Sequence, residues 1–454
     1  MLGMVAVIGS LAGSLAFAAD PPPAPGSLDR SFLPAVTRLP SALTLQPDGR
    51  LLVGGLGSLA RYEVSGAPDP SFNPTVGTFD FIQAIALRAD GTMLLGGGGL
   101  SSPSQIVALN PNGQPMAEIP PAFDGDVHQI LVQADDGILV AGGFTYAAEK
   151  LTDVRGRIAR LEPVEGHFDT GFDPGLGADG TIFALALDDQ GRILAGGAFT
   201  NFDRVPMAGI ARLSPQGRLD PGFTPRLNDG DVQDIAVQSD GRILIVGNFT
   251  RIEDQPAGGL ARLLPDGRLD TSFHPVVEFT RIAPELKGWA LAITAENRIL
   301  VGGPFTQVNG ESRSYLAELN PAGELVPAFT GRLDRIPWLF ALRPNGRIVI
   351  GGNFDTVEGA NRPYVAQLFG HSDENLSPTI VHQPEDQAVP VGATAVFRVL
   401  AEGSAPLEYQ WWFQNTNSIP SKCQSSLLTL LAGSESLPLC LANCAGNIRA
   451  SCIT

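Results

Sequence analysis

The residues best suited to chemistry in this 454-residue chain are acidic. Asp124-Gly125-Asp126 and Asp229-Gly230-Asp231 each hold two carboxylates around a glycine, and Asp179-Gly180 repeats half of that pattern. Carboxylates gathered at one rim are hard oxygen donors suited to calcium. Asp124, Asp126, Asp229 and Asp231 are therefore the candidate metal ligands. Asp and Gly are also turn residues. The turn reading is favoured, because few units carry the feature and EF-hand spacing is absent. His128, His167, His274, His371 and His382 are scattered, with no pair at metal-ligand spacing. No nucleophile elbow, phosphate loop or dinucleotide fingerprint stands in a strand-turn-helix context. No catalytic or cofactor-binding residue is expected, and calcium is the one cofactor left open.

A second charged set repeats. Arg61, Arg160, Arg212 and Arg262 recur in one motif, and Asp29, Asp69, Asp169, Asp220 and Asp270 in another. The two motifs fall on facing strands of a hairpin, which predicts cross-strand ion pairs or pairs between units. Repetition argues for structure, since one active site does not need the same pair many times.

The elements that carry these residues form an internal repeat. An apolar run followed by glycine recurs with its last glycine at Gly55, Gly97, Gly143, Gly197, Gly247, Gly303 and Gly352, a period of roughly 50 residues. Tight-turn signals precede each run, such as Asp48-Gly49, Asp136-Gly137 and Asn345-Gly346, with Asn297 in place of glycine once. Another apolar run precedes each turn, so each unit opens with a β-hairpin. An Ile-Ala-Arg-Leu-like strand follows, as at Ile210-Ala211-Arg212-Leu213. Then come a turn and a Leu-Asp-x-x-Phe segment, with its Phe at Phe32, Phe72, Phe123, Phe172, Phe223, Phe273 and Phe329.

Two hairpins per unit give four strands, the requirement of a β-propeller blade. A β-solenoid is the rival, but its shorter coils do not need two hairpins. The array starts with a lone Leu28-Asp29-Arg30-Ser31-Phe32 and ends at Leu368-Phe369-Gly370 without that segment. In a ring the first segment completes the last unit and removes an exposed edge. The expected fold is all-β: a seven-bladed propeller over residues 27–370, its N-terminal strand closing the last blade.

These motifs resemble the delta-60 repeat of bacterial β-propellers, most closely from Gly191 to Phe273. The resemblance implies an exported or surface-displayed propeller and no catalytic residues. Residues 371–377 read as a linker. Residues 378–454 resemble a bacterial immunoglobulin-like domain, in which Trp411 of Tyr409-Gln410-Trp411-Trp412 is the core Trp of a partial β-sandwich. The resemblance fails after about residue 422, which fits a frameshifted or truncated domain. Cys423, Cys440, Cys444 and Cys452 all lie there.

Residues 1–18 are small or apolar and end in Ala16-Phe17-Ala18, which predicts a secretory signal peptide. Residues 19–26 form a Pro-rich linker. With 53 Gly, 37 Pro and 44% hydrophobic residues, the chain is neither helical nor disordered. A net charge of −17 argues against nucleic acid or anionic lipid as partners. No later apolar run is long enough to span a bilayer. The expectation is a monomeric, secreted or cell-surface, non-enzymatic binding protein. Its expected partner is a surface polymer, a glycan or a protein. A polysaccharide-acting enzyme and a structural spacer are the alternatives.

Overall fold

The computed structural model describes residues 23–371, except 77–78, 99–103, 117–118, 146, 149–155, 164–165 and 281–287, together with strands between 379 and 453. The expected signal peptide and most of the 371–377 linker lie outside the described residues.

Seven times the described chain passes through the same three antiparallel strands. The first strands are Pro40–Leu45, Phe81–Leu87, Val127–Val132, Ile182–Leu187, Val232–Val237, Ala290–Ile293 and Pro337–Leu342. The second are Leu51–Gly55, Met93–Gly98, Ile138–Gly142, Ile193–Gly197, Ile243–Gly247, Ile299–Gly302 and Ile348–Gly352. The third are Ser58–Tyr62, Ser104–Leu109, Ile158–Leu161, Ile210–Leu213, Leu260–Leu263, Leu316–Leu319 and Val365–Leu368. Every second strand is buried along its whole length. That explains its unbroken apolar sequence, since both faces of each sheet pack against neighbouring sheets.

The core is accordingly inter-sheet. One cluster joins Leu139 and Ile158 of the third sheet to Ile182 and Leu185 of the fourth. Another joins Leu51 and Val53 of the first to Val349 and Val365 of the last. First strands are also tied laterally. Ser41 and Thr44 donate to the carbonyls of Ile82 and Ile85, Gln129 exchanges bonds with Leu185, and Asp234 accepts from the Leu291 amide. Trp338 Nε1 returns to the Pro40 carbonyl at 3.1 Å. These bonds run start to start, so the first strands are parallel and equivalent turns share one end of the molecule.

In the second sheet Ile119–Phe123 pairs with Ser104–Leu109, while in most sheets the expected fourth strand is reduced to a single bridge, as at Leu213–Leu219 and Leu263–Leu269. The Asp-x-x-Phe turn explains this: Phe223 N donates to Asp220 O and turns the chain away to the next sheet. For the last sheet the bridge is Leu28–Leu368, flanked by Gly26 N to Phe369 O and Asp29 N to Gln367 O. The N-terminal segment thus stands where the other sheets use the segment that follows their third strand. Pro25 and Gly26, assigned to the linker by sequence, are already engaged here.

The recurrent glycine answers a bulge. Six first strands shift register near their start. A Cβ on Gly55, Gly97, Gly197, Gly247 or Gly352 would overlap the carbonyl oxygen at that bulge. In the third sheet the residue in this position is Gly142, against Asp126 O, and not Gly143. In the sixth, Gly303 lies against the Trp289 ring instead. The preceding turn of the third sheet is offset in the same way, because Asp136 holds the positive φ of 61° that Gly49 or Gly241 holds elsewhere.

Beyond residue 371, Ala395–Glu402 pairs with Thr379–His382 and Ser436–Leu441, and Gln410–Trp412 pairs with Ser451–Ile453. The Trp411 and Cys440 side chains, and Cys423 and Cys444 altogether, lie outside what the structure describes.

Three substitutions test the third-sheet register by chemical denaturation. Gly142→Ala is expected to cost about 3 kcal/mol through overpacking against backbone. Gly143→Ala, whose nearest contact would be 3.7 Å away, should be close to neutral. Asp136→Gly should stabilise by about 1 kcal/mol. A larger loss at Gly143 than at Gly142 would refute the register.

Candidate functional site

The ring has two unlike faces. One carries the turns that join first to second strands and third strands to the bridge segments. Both ends of the ring, at Gly26 and Gly370, lie there, with Gly370 against Gly346. The other face carries the connections between second and third strands.

The turn face holds the repeated charges. Arg61, Arg160, Arg212 and Arg262 donate through Nε to Oδ2 of Asp69, Asp169, Asp220 and Asp270 at 2.7, 2.6, 2.8 and 2.8 Å. Each Nη1 also reaches a carbonyl in the next sheet's turn: Pro111, Pro215, Pro265 and Pro321. Each guanidinium lies 4.3 to 5.4 Å over Phe72, Phe172, Phe223 or Phe273. The other oxygen of each Asp accepts from an amide two residues on, as Ser71 N to Asp69 Oδ1 at 2.8 Å. Burial pushes the Asp69 carboxyl up, but the bonds from Ser71 and Arg61 outweigh this and lower it to about 2. These residues are consumed by structure.

Hairpins leave the opposite end and fold back along the outer side of the sheets, where Glu253 Oε1 accepts from Leu269 N, Glu358 Oε2 accepts from Leu28 N and Asn309 Nδ2 donates to Gly323 O. Asn201–Phe202 pairs with Val205–Pro206, Arg251–Ile252 with Gln255–Pro256, Phe305–Val308 with Glu311–Ser312, and Thr356–Val357 with Ala360–Asn361. Each has a two-residue tip with both φ values positive: Asp203-Arg204, Glu253-Asp254, Asn309-Gly310 and Glu358-Gly359. That is the type I′ turn favoured by the right-handed strand twist. In the sequence, segments 201–207, 251–257 and 307–314 stand out as variable loops between second and third strands, although Asn309-Gly310 is a strong hairpin signal. An equivalent apolar residue of each hairpin is buried, namely Phe202, Ile252, Val308 or Val357. The corresponding loop at 146–156 falls mostly outside the described residues. Below the hairpins of the fourth and fifth sheets lie equivalent clefts of 690 and 760 Å³. Met207, Leu219 and Phe223 line the first; Ala257, Leu269 and Phe273 line the second.

The candidate calcium ligands stand at the base of this face. Asp124 accepts from Thr145 N and Oγ1, and Asp229 from Thr250 N and Oγ1. Asp179 does the same for Thr200 and adds Asn201, and Asp334 accepts from the amides of Asp355 and Thr356. Asp179, Asp229 and Asp334 each anchor the start of a hairpin, and Asp124 holds the equivalent Thr145. Burial raises the Asp179 carboxyl, but the Asn201 and Thr200 bonds win and bring it to about 2. Asp126 accepts from Gln83 Nε2 at 3.1 Å, and Gln83 also meets His128 Nδ1 at 2.5 Å. Asp231 is buried and accepts from Asn248 Nδ2 at 3.0 Å. Among the described residues, no three His, Cys, Asp or Glu side chains converge as a metal site. No described helix is long and apolar enough to cross a membrane.

Six segments, residues 46–72, 133–172, 191–223, 238–273, 295–329 and 343–369, match the family model described as "Domain of unknown function (DUF5122) beta-propeller". With the succession of packed sheets, this makes the chain a β-propeller protein. No curated protein matches it. Among solved structures it is similar to the extracellular domain of a putative hybrid two component system from B. thetaiotaomicron. That match has 13% identity and a TM-score of 0.46 over 83% of this chain, which spans 44% of that one. A streptogramin B lyase is similar at 13% identity and a TM-score of 0.47, with 74% of this chain and 95% of that one covered. YCF48 bound to D1 peptide is similar at 13% identity and a TM-score of 0.45, with 76% and 99% covered.

Two outcomes follow for the hairpins. Asp179→Ala should lower stability by about 1 kcal/mol at pH 7, since the anchor is open to solvent. A depressed carboxylate stabilises above its unfolded pKa and loses that effect as pH falls through its folded one. The wild-type advantage in melts should therefore vanish between pH 4 and pH 2; an advantage that persists at pH 2 counts against the anchor. Arg204→Gly should raise stability by about 1 kcal/mol, because it relieves a left-handed residue. A loss there would contradict the strained tip.

Proposed function

We propose that this protein is an exported or cell-surface, seven-bladed β-propeller of the delta-60 kind, followed by an incomplete immunoglobulin-like domain. It binds a polymer, a glycan or a protein without turning it over, through the hairpin face. One observation carries the reading. The carboxylates at this end, Asp124, Asp179, Asp229 and Asp334, are each taken up by amide or hydroxyl donors of their own sheet, a structural role and not the role of a general acid or nucleophile. What remains is a set of hairpin tips with one backbone geometry and different side chains, folded back along the outer side of the sheets. Variable elements on a rigid scaffold are a natural recognition surface.

A glycan and surface-polymer binding screen of the chain from residue 19, with and without calcium, tests this. A ligand should be retained, and alanine at Asp203, Arg204, Glu253 and Asp254 together should weaken it at least about tenfold. Turnover of any polysaccharide, or binding indifferent to those four tips, overturns the reading. Export with cleavage after Ala18 predicts Ala19 as the first residue of the mature protein by N-terminal sequencing.

A further inference from the structure

At six of the seven seams an arginine reaches forward to a carbonyl of the next sheet. Four come from third strands, as described. The second and last sheets carry Ala108 and Gln367 at that position, and there Arg88 and Arg343, from the ends of the first strands, take over. Arg88 donates to Pro163 O at 2.5 Å, and Arg343 to Gly49 O at 2.6 Å.

The seam between the sixth and last sheets is reversed. Glu318 occupies the arginine position and Val326 the aspartate position, the equivalence fixed by Val326 N to Glu318 O at 2.9 Å. Thr294 stands where Arg88 and Arg343 stand. Glu318 is 1% exposed. A carboxylate cannot donate forward, and the bond runs backward instead, from His371 Nε2 to Glu318 Oε2 at 2.6 Å. His371 directly follows the last strand and Gly370, at the point where the chain leaves the ring. The other charged groups acting on Glu318 are Arg298, which attracts, and Glu296, which repels.

We propose that Glu318 and His371 form a proton-sensitive latch, which closes this one seam and pins the exit toward the C-terminal segment while the imidazole is charged. Histidine is the side chain that changes charge between about pH 5 and 8. At 2.6 Å from this buried carboxylate a charged imidazole makes an ion pair and a neutral one only a hydrogen bond, so the contact weakens when the proton leaves. Burial pushes the Glu318 carboxyl up, with His371 and Arg298 opposing. A raised carboxyl costs stability as it ionises, so both signs agree: the seam weakens toward alkaline pH.

The test uses the full chain with His371→Gln, which keeps a donor but does not titrate, and Glu318→Gln. Between pH 5 and pH 8 the wild-type melting temperature should fall roughly 2 °C further than that of His371→Gln. Glu318→Gln should flatten the profile in the same way. Hydrogen exchange, corrected for the intrinsic rate, should rise about threefold at the Asp29 and Phe369 amides in wild type only. Parallel melting profiles for wild type and His371→Gln, or exchange that rises equally in both, would overturn the latch.

Discussion

Six of the seven sheets hand an aromatic ring to the next, and the closed ring of sheets depends on that contact. Phe32, Phe72, Phe172, Phe223, Phe273 and Phe329 lie against Gly66, Gly113, Gly217, Gly267, Gly323 and Gly26, where a Cβ would come within 2.9–3.0 Å of the phenyl. All six glycines have positive φ, so space and backbone both demand glycine. Over Phe72, Phe172, Phe223 and Phe273 an arginine then ties the junction to its own aspartate and to the neighbour's carbonyl. Buried Phe side chains are worth about 3–5 kcal/mol each by truncation. A sheet alone would expose its ring, its guanidinium and two apolar faces. Stability therefore belongs to the seams, and the closing contacts Phe329–Gly26 and Phe32–Gly66 reuse the same device across the chain's two ends.

Much of this was legible in the sequence, because each seam residue is chosen by a rule that repeats. The strand runs, the turn glycines, the Arg–Asp pairs and the pairing of residue 28 with the last strand all follow from motif and order. The misreadings come from matching residue type instead of offset. The seam phenylalanine stands six residues after its turn glycine, which from Gly113 points to Ile119. Ile119 does lie against Gly166, while Phe123 stacks on Phe144 at 4.8 Å. The third unit misled in the same way, since Asp136 and Gly142 hold positions that the sequence appearance assigns to Gly137 and Gly143. Its extra alanine before the glycine pair shifts the text by one without shifting the backbone.

The substitutions of Arg88 and Arg343 for third-strand arginines were illegible for a different reason. Their donors start from another strand and reach the neighbouring sheet's turns through space, Arg88 at Pro163 O and Arg343 at Gly49 O and Val64 O. A linear motif records which residue supplies a group; the seam requires only that some residue supply it. The hairpins were partly hidden as well, because Asp203-Arg204 and Glu253-Asp254 adopt a turn whose usual sign is glycine. Their conformation is imposed by the anchors around them. Asp203 accepts from Leu176 N at 3.1 Å, and Asp254 exchanges two bonds with Asn228.

The acidity of the chain acquires an address through these roles. Carboxylates on the turn face neutralise guanidinium groups or cap turns, and those at the hairpin bases are saturated by Thr and Asn donors. A group already holding several donors has little to offer a ligand without losing them. The side chains that vary are at the tips, where successive sheets place an acid–base pair, two acids, an amide and a single acid on the same turn, each tip also holding a bond within the ring. Such an arrangement suits an extended partner touched at several sheets better than a small molecule enclosed at one. The clefts beneath the fourth and fifth hairpins continue that surface, with Pro206, Leu219 and Phe223 beside Asp203, Arg218 and Arg226 in one, and Pro256, Leu269 and Phe273 beside His274 and Glu278 in the other.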